Sequence, residues 1–561
     1  MSNVALSAFI EQLANGLESG TLNTCSRWSS KRRVMGEPFP GPYQWKYHPW
    51  VREVHDTRAP ENYIMKGAQL GLSEAAINRA LYTIDQLRRD VLYVLPTGKV
   101  ARDFSKGRFS SALLHSPYLQ NLFTDADSVE LKIAGTTNLY IRGSGGKANL
   151  VSIPVSQLIL DEVDRMDQKE IELAIERLSG MPADKKSIWG LSTPTIPNYG
   201  VHKLFMRGTQ EHYTFQCPSC SRHTELIWPE CIEIIGESAS DPRCHESYLK
   251  CKECKAKLEQ ELKPEWLKNA QWKATNLNAN PDIRSFTLGQ LYSYTVTPGD
   301  LVTAHFRGLG DEAAATEFYN SKLGLPFVSE GSQITDQHIQ HAITGHGTAY
   351  TTQNQKPNRA HEKIITLGVD VGKFSYFTVT EWLLGRGRDV NANAHAKVID
   401  RGKFLEDEFD QVLDELMIEY QVLACVIDSE PYSNMARQFA RRFPRFVWLS
   451  KFLRGFIGKE VSITDEDSGA PLATCDRTSW FGAALGRFKT NRIQLPADVG
   501  LEYCDHLKAI VRTHVKDDNG NWHATYISTG PDHYGLSLVY SEIALPFAAT
   551  ISAGDDIERF M

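Results

Sequence analysis

The chain lacks a surplus of positive charge. Its 61 Lys and Arg face 68 Asp and Glu, for a net charge of −7. That excludes a protein that coats nucleic acid with its whole surface and leaves room only for a local basic groove. Cysteine is scarce, with ten in 561 residues. Four fall into two CxxC pairs and the rest are scattered singly. This pattern points to metal binding and buried thiols in a reducing compartment rather than to disulfides. No apolar run approaches the length that crosses a bilayer, and the first twenty residues lack the basic flank and long apolar stretch of a secretory signal. The expected compartment is therefore cytoplasmic, with no membrane partner. Internal repeats and long low-complexity tracts are also missing. What is present is ordinary for a globular protein, 42% hydrophobic and 23% charged, in a chain too long for one core, so two or three domains are expected.

The expected organisation starts with a helix and a Pro/Gly/aromatic segment over 1–60. Over 61–212, apolar strand-like runs alternate with helical stretches, as in an α/β domain with a largely parallel sheet. Residues 213–262 hold the cysteine pairs, 263–330 read as mostly helical, and 331–361 read as a polar linker. A second α/β pattern fills 362–561, with a hairpin turn at Asn519-Gly520.

A last deficiency is local. "MKGAQLGLSE", Met65–Glu74, has the rhythm of a phosphate loop but carries Leu72 where the usual lysine stands. Such a loop needs inward backbone N–H groups, glycine for close approach, a hydroxyl for magnesium and a lysine that reaches the phosphates. The strand "NYIM" leads in and the helix "SEAAINRALYTI" leads out, so a helix N-terminus faces the anion. Lys66, at the loop's start, can serve as a point charge folded back over the phosphates. An ordinary strand–turn–helix reads the same way. The next elements favour the phosphate loop. "QLILDEVD" ends an apolar strand with Asp161 and Glu162, suited to hold Mg²⁺ and to activate water. "GLSTPT" sets Ser192 and Thr193 at another strand end, where hydroxyls could sense the γ-phosphate.

"CPSC" and "CKEC" supply Cys217, Cys220, Cys251 and Cys254. Two such knuckles complete a tetrahedral Zn²⁺ site. Cys231, Cys244, His223 and His245 are alternative ligands. In the second half, Asp370 lies inside the strand "TLGVDVG", Asp428 ends "ACVIDSE", and Asp532 starts a helix at "GPDHYG". A carboxylate in an apolar strand is costly unless paired or bound to metal. Two strand acids and one helix acid suit a two-ion nuclease centre. Glu430 could replace Asp428, and His533 could line the site. A strand-terminal Asp can equally be a turn residue.

Together these strings resemble the large subunit of tailed-phage terminases, in the lambda-like (GpA-like) branch. The likeness runs from about 36 to 545. "GPYQWKYHPWVREV", "MKGAQLGLSE", "LILDEVDRM", "LSTPT", the two cysteine knuckles, "LGVDVG" and "VIDSE" carry it, and "TEFYNSKLGLPF" is the most specific string. The resemblance implies an N-terminal P-loop (ASCE) ATPase with a zinc-ribbon-like insert and a C-terminal RNase H-like nuclease. It implies ATP-driven movement of double-stranded DNA into a procapsid and metal-dependent cutting of concatemers, in the cytoplasm of an infected bacterial host. By position it implies that Lys66, Gly67, Gln69, Gly71, Ser73, Asp161, Thr193 and Gln44, with Trp45, serve ATP. Glu162 would be the catalytic base, and Asp370, Asp428 and Asp532 would hold Mg²⁺ or Mn²⁺. The expected partners are a small terminase subunit, a portal protein and further copies in a ring. Arg79, Arg102 and Arg142 are candidates for a catalytic arginine. The stretch "ARRFPRFVWLSKFLRGFIGK" is a candidate DNA contact, and the tail "GDDIERFM" a candidate portal contact. Two rival readings remain: an ATP-dependent helicase without nuclease activity, and a non-catalytic capsid-assembly scaffold.

Overall fold

The computed structural model describes residues 22–123, 128–145, 153–343, 364–384, 393–453, 461–465, 470–517 and 520–553. The expected helix over the first twenty residues, Asn519 of the expected hairpin turn and the tail "GDDIERFM" lie outside them. Two compact units divide the chain near residue 330.

The first unit is built on β1 (Glu61–Lys66), α1 (Leu72–Asp85), β2 (Val91–Leu95), β3 (Leu131–Ala134), β4 (Thr137–Gly143), β5 (Gln157–Asp161), β6 (Ser187–Ser192), β7 (Glu211–Gln216), β8 (His223–Thr224), β9 (Gln271–Ala274) and β10 (Ile283–Leu288). The sheet order is β8-β7-β10-β1-β6-β5-β2-β4-β3, with β9 on β7. From β7 through β4 every neighbouring pair is parallel. Unbroken apolar runs such as "VLYVL" and "QLILD" produce this, because a parallel strand is covered on both faces; every residue of β2 and β5 is buried. One strand, β6, lies between the loop strand β1 and the acid strand β5, so the C-terminal ends of all three are neighbours.

The stretch 263–330 is helical over Pro298–Gly308, Glu312–Thr316 and Glu317–Leu323, but not throughout. It supplies β9 and β10, and β10 pairs with β1 in parallel register from Ile283↔Glu61 to Leu288↔Lys66. Its pairing partner lies more than two hundred positions away in the sequence, and nothing local announces it. The expected linker likewise contains a helix, α2 (Asp336–Ile343), with Ile339 and Ala342 buried.

The second unit carries β11 (Ile364–Asp370), β12 (Phe374–Leu383), β13 (His395–Leu405), β14 (Ala424–Asp428), α3 (Ser433–Arg442), β15 (Val447–Leu453), β16 (Val461–Asp465), β17 (Pro471–Asp476), α4 (Arg477–Lys489), β18 (Ile493–Gln494), the hairpin β19 (Ile510–Lys516) and β20 (Trp522–Ser528), and α5 (His533–Ser552). Its main sheet runs β16-β17-β15-β14-β11-β12-β13-β18. β11 is antiparallel to β12 and parallel to β14. By length and composition α5 could cross a membrane; here it is a core helix, buried at thirteen of its twenty residues. It lies tight on β11 because Gly368 has no side chain: a Cβ there would overlap the backbone of Ser537 and Ser541. Hydroxyls close the seam, Thr366 with Ser541 at 2.7 Å and Thr378 with Ser537 at 2.7 Å. On α5's other flank Arg487 of α4 pairs with Glu542 at 2.5 Å, both about 5% exposed.

Candidate functional site

The loop after β1 turns through Gln69 at φ 59° and Gly71 at φ 76°. Only glycine takes the left-handed region without cost. At Gly71 there is a second reason, since an added Cβ would lie 3.0 Å from the His48 ring. Trp50 Nε1 donates to Leu70 O at 2.8 Å and fixes the loop from below. Among the described residues, the N–H groups of Gln69, Leu70 and Gly71 have no protein acceptor. They precede the first turn of α1, whose own N–H groups are unpaired by construction. The result is a ready cradle for phosphate oxygens.

Ser73 Oγ lies 3.5 Å from Asp161 Oδ1, and Tyr93 donates its phenol proton to Asp161 Oδ2 at 2.7 Å. Burial pushes the Asp161 carboxyl above its usual range, and the Lys66 ammonium pulls the other way. The moved lysine therefore acts on the same carboxylate that the loop hydroxyl meets. Glu162 follows in left-handed backbone at φ 67°. Its N–H bonds Leu191 O at 2.8 Å, and its carboxylate pairs with Arg165 at 2.6 Å.

The segment "TEFYNSKLGLPF" bridges this loop and the "STPT" turn. Ala68 N–H donates to Ser321 O at 2.7 Å, while Gly67 packs against the backbone of Ser321 and Lys322. From the same segment, Asn320 Nδ2 donates to Thr195 O at 3.0 Å and Phe327 N–H to the same oxygen at 2.9 Å. On the other side the buried Asp164 accepts from Thr195 N at 2.8 Å, Thr195 Oγ1 at 2.9 Å and Val201 N at 2.7 Å. Burial still pushes its carboxyl up to about 6. Ser192 hydrogen-bonds Thr193 O at 2.9 Å and accepts from Asp164 N. Asp164→Ala leaves the buried Val201 N–H and the half-buried Thr195 N–H without an acceptor, at about 1–3 kcal/mol for the buried one. Denaturant unfolding of the first unit should show a loss of about 2–4 kcal/mol, and unchanged stability would refute this role.

The cysteine knuckles fold alike. Ser219 N–H points at Cys217 Sγ and Glu253 N–H at Cys251 Sγ, both at 3.4 Å. Ser221 and Lys255 close the two turns at φ 59° and 60°. The Sγ atoms of Cys217, Cys220, Cys251 and Cys254 all lie within 4.8 Å of one another, with Cys217 and Cys254 at 3.9 Å. A tetrahedron of sulfurs about 2.3 Å from a zinc ion spaces them by about 3.8 Å, so this set fits a zinc-ribbon-like site. Cys231 and Cys244 instead donate to Glu225 O and Ser238 O.

In the second unit Val369 pairs with Ile427, which sets Asp370 and Asp428 side by side on parallel strands. Asp370 is 5% exposed. Burial, with the neighbouring Asp370, pushes the Asp428 carboxyl up to about 7. His533 Nδ1 lies 2.8 Å from Asp370 Oδ2, and its ring stacks on Tyr376 at 4.7 Å. Asp532 caps α5 one residue earlier, with its carboxylate bonded to the Ser528 hydroxyl. Glu430 N–H donates to Asp428 Oδ1 at 3.1 Å.

Two sequence models describe the chain almost end to end. The model of the phage terminase large subunit gpA ATPase domain matches residues 37–272, and that of the gpA endonuclease domain matches 283–525. The chain belongs to the GpA-like large terminase subunits. Among solved structures it is similar to the HK97 bacteriophage large terminase, at 10% identity over 92% of this chain and 98% of that one, with a TM-score of 0.46. It is also similar to the Thermus phage P74-26 large terminase ATPase domain, at 15% identity over 51% and 95% of the two chains and a TM-score of 0.30. A large terminase from a thermophilic bacteriophage matches at 9% identity over 87% and 94%, with a TM-score of 0.28. No curated protein matches the sequence. The two halves of this terminase subunit are thus an ATPase and an endonuclease, the pair that packages and cuts viral DNA, and they use a nucleotide and divalent metal.

Around these sites lie residues named from the sequence and others that it did not single out. Gln44 is exposed, and Trp45 packs on Tyr43 and His55; His48 and Trp50 are the aromatic residues that touch the terminase loop. Of the arginines, Arg102 is exposed and Arg142 pairs with Glu130 at 3.3 Å. Arg79 sits two turns along α1, with its guanidinium 5.8 Å from the Trp189 ring. Arg108, which no motif marks, pairs at 2.8 Å with Glu74, the residue after Ser73. The basic-aromatic stretch divides: Arg442 is tied to Asp410 and Asp414, Val447–Ser450 is buried, and 454–459 lie outside the described residues.

Proposed function

We propose that Lys66, Gly67, Gln69, Gly71 and Ser73 bind the phosphates of ATP, that Ser73 and Asp161 hold Mg²⁺, and that Glu162 is the base for the attacking water. Thr193 reports the state of the γ-phosphate, and Gln44 is free to reach the adenine from its exposed position. The contact of Ser73 with Asp161, under the charge of Lys66, carries this reading: a hydroxyl and a carboxylate from two different elements converge where the loop amides point. In the second unit Asp370 and Asp428, with Asp532 or Glu430 completing the set, hold Mg²⁺ or Mn²⁺. Two ions there supply stabilisation of the attacking and leaving oxygens of the phosphodiester. The full activity is translocation of double-stranded DNA into a procapsid and cleavage of concatemers. It is carried out by a ring of copies with a small terminase subunit and a portal protein, in the cytoplasm of the host. Paired ATPase and plasmid-cleavage assays on wild type, Glu162→Gln and Asp370→Asn test the assignment; each variant should lose one activity and keep the other.

We also assign Zn²⁺ to the four cysteines, in a closed site with a folding role. Metal analysis should find about one zinc per chain, the number a single Cys₄ site holds. Cys251→Ser should lose it and lower the melting temperature of the first unit. Folded protein without zinc would defeat this assignment.

A further inference from the structure

A second polar site lies at the opposite strand ends from the nucleotide loop. The starts of β5 and β6 and the last turns of α1 enclose a pocket of about 80 Å³. Arg58, Arg79, Arg89, Lys185 and Lys186 line it, against a single acid, Asp184. Its floor is polar and buried. Gln157 and Thr83 are 1% and 2% exposed. Both ends of the Gln157 amide, Thr83 Oγ1, Ser187 Oγ and Arg79 Nε are buried without a hydrogen-bond partner. Each such group left unpaired costs about 1–3 kcal/mol. All of them belong to residues that line this one pocket, whose cationic walls repel one another electrostatically. A ligand with several acceptor oxygens and negative charge relieves that repulsion.

We propose that this pocket binds one phosphoryl oxoanion. Guanidinium forks and lysine ammoniums match tetrahedral oxygens, and charge-assisted hydrogen bonds are stronger than neutral ones. The lining, five cationic side chains with no aromatic ring among them, suits a phosphoryl group rather than a base. The same chemistry comes from inorganic phosphate or from one phosphodiester of a DNA backbone.

The test uses the full chain and inorganic phosphate, with melting followed against chloride at equal ionic strength. Wild type should gain stability with phosphate concentration as a one-site ligand requires. The double variant Arg89→Ala/Lys186→Ala should melt as wild type does in chloride and lose the phosphate response. Lys66→Ala should keep the response, which separates this pocket from the nucleotide loop. A response lost in Lys66→Ala and kept in the double variant overturns the proposal, as does no response in any protein. A duplex-binding measurement then distinguishes the sources. If DNA is the occupant, the double variant lowers the slope of log affinity against log salt by about 0.9, one phosphate's worth. An unchanged slope with a lost phosphate response assigns the site to free phosphate.

Discussion

Replacing Glu162 with glutamine should cut ATP turnover by about 10²–10⁴-fold, the usual contribution of a positioned general base. Glutamine keeps the volume and the hydrogen-bonding reach but cannot take a proton. The position itself is rigid. Glu162 follows a fully buried strand, its N–H is fixed to Leu191 O, and Arg165 holds the carboxylate at 2.6 Å. It also sits in left-handed backbone, where a long non-glycine side chain is uncommon; such strain is retained where the surroundings over-determine it. ATP affinity should change little, because in the proposed site the phosphates meet the loop amides and Lys66 rather than this carboxylate. DNA cleavage should persist, since its acids belong to the other unit. Steady-state phosphate release and nucleotide binding measured on the same preparation separate these effects. Turnover within a few-fold of wild type would remove Glu162 as the base.

Much of this was legible in the sequence, for reasons that differ by element. Continuous apolar strands such as "QLILD" announce a parallel sheet because burial on both faces leaves no polar alternation. The phosphate loop is readable despite Leu72 at the lysine position, because the strand before it, the glycine and the hydroxyl are local features. What was not legible depends on contacts distant in sequence. β10 joins the sheet beside β1 through pairing alone. Gly67 serves a close approach of Ser321 and Lys322, whatever it does for a phosphate. Asp164 reads as one more acid after "DE" until the Thr195 turn closes on it. Arg108 comes from a segment whose composition says nothing about a nucleotide, and His48 is singled out by nothing within "GPYQWKYHPWVREV". In the second half "GVDVG" marks Asp370, but the need for Gly368 appears only when α5 lies across it.

The larger loss expected on the DNA side comes from Asp370→Asn. Asp370 and Asp428 stand side by side because β11 and β14 are in parallel register, and the seam with α5 places His533 against Asp370. An amide at 370 keeps the shape of that contact but removes the charge proposed to hold a divalent ion. Lewis-acid stabilisation of a phosphoryl transition state amounts to several kcal/mol, so plasmid cleavage with Mg²⁺ or Mn²⁺ should fall by at least about 10²-fold, each 1.36 kcal/mol being tenfold. The seam stays intact, because Gly368 and the pairs Thr366–Ser541 and Thr378–Ser537 do not involve this carboxylate. The melting temperature of the variant without metal should therefore stay at or above that of wild type, as replacing a buried charge by a neutral amide relieves desolvation. His533→Ala distinguishes a ligand from a neighbour. If the imidazole only orients Asp370, cleavage should fall less than in Asp370→Asn and recover in part at higher metal concentration. Cleavage at the wild-type rate in Asp370→Asn would move the nuclease centre away from this pair of strands.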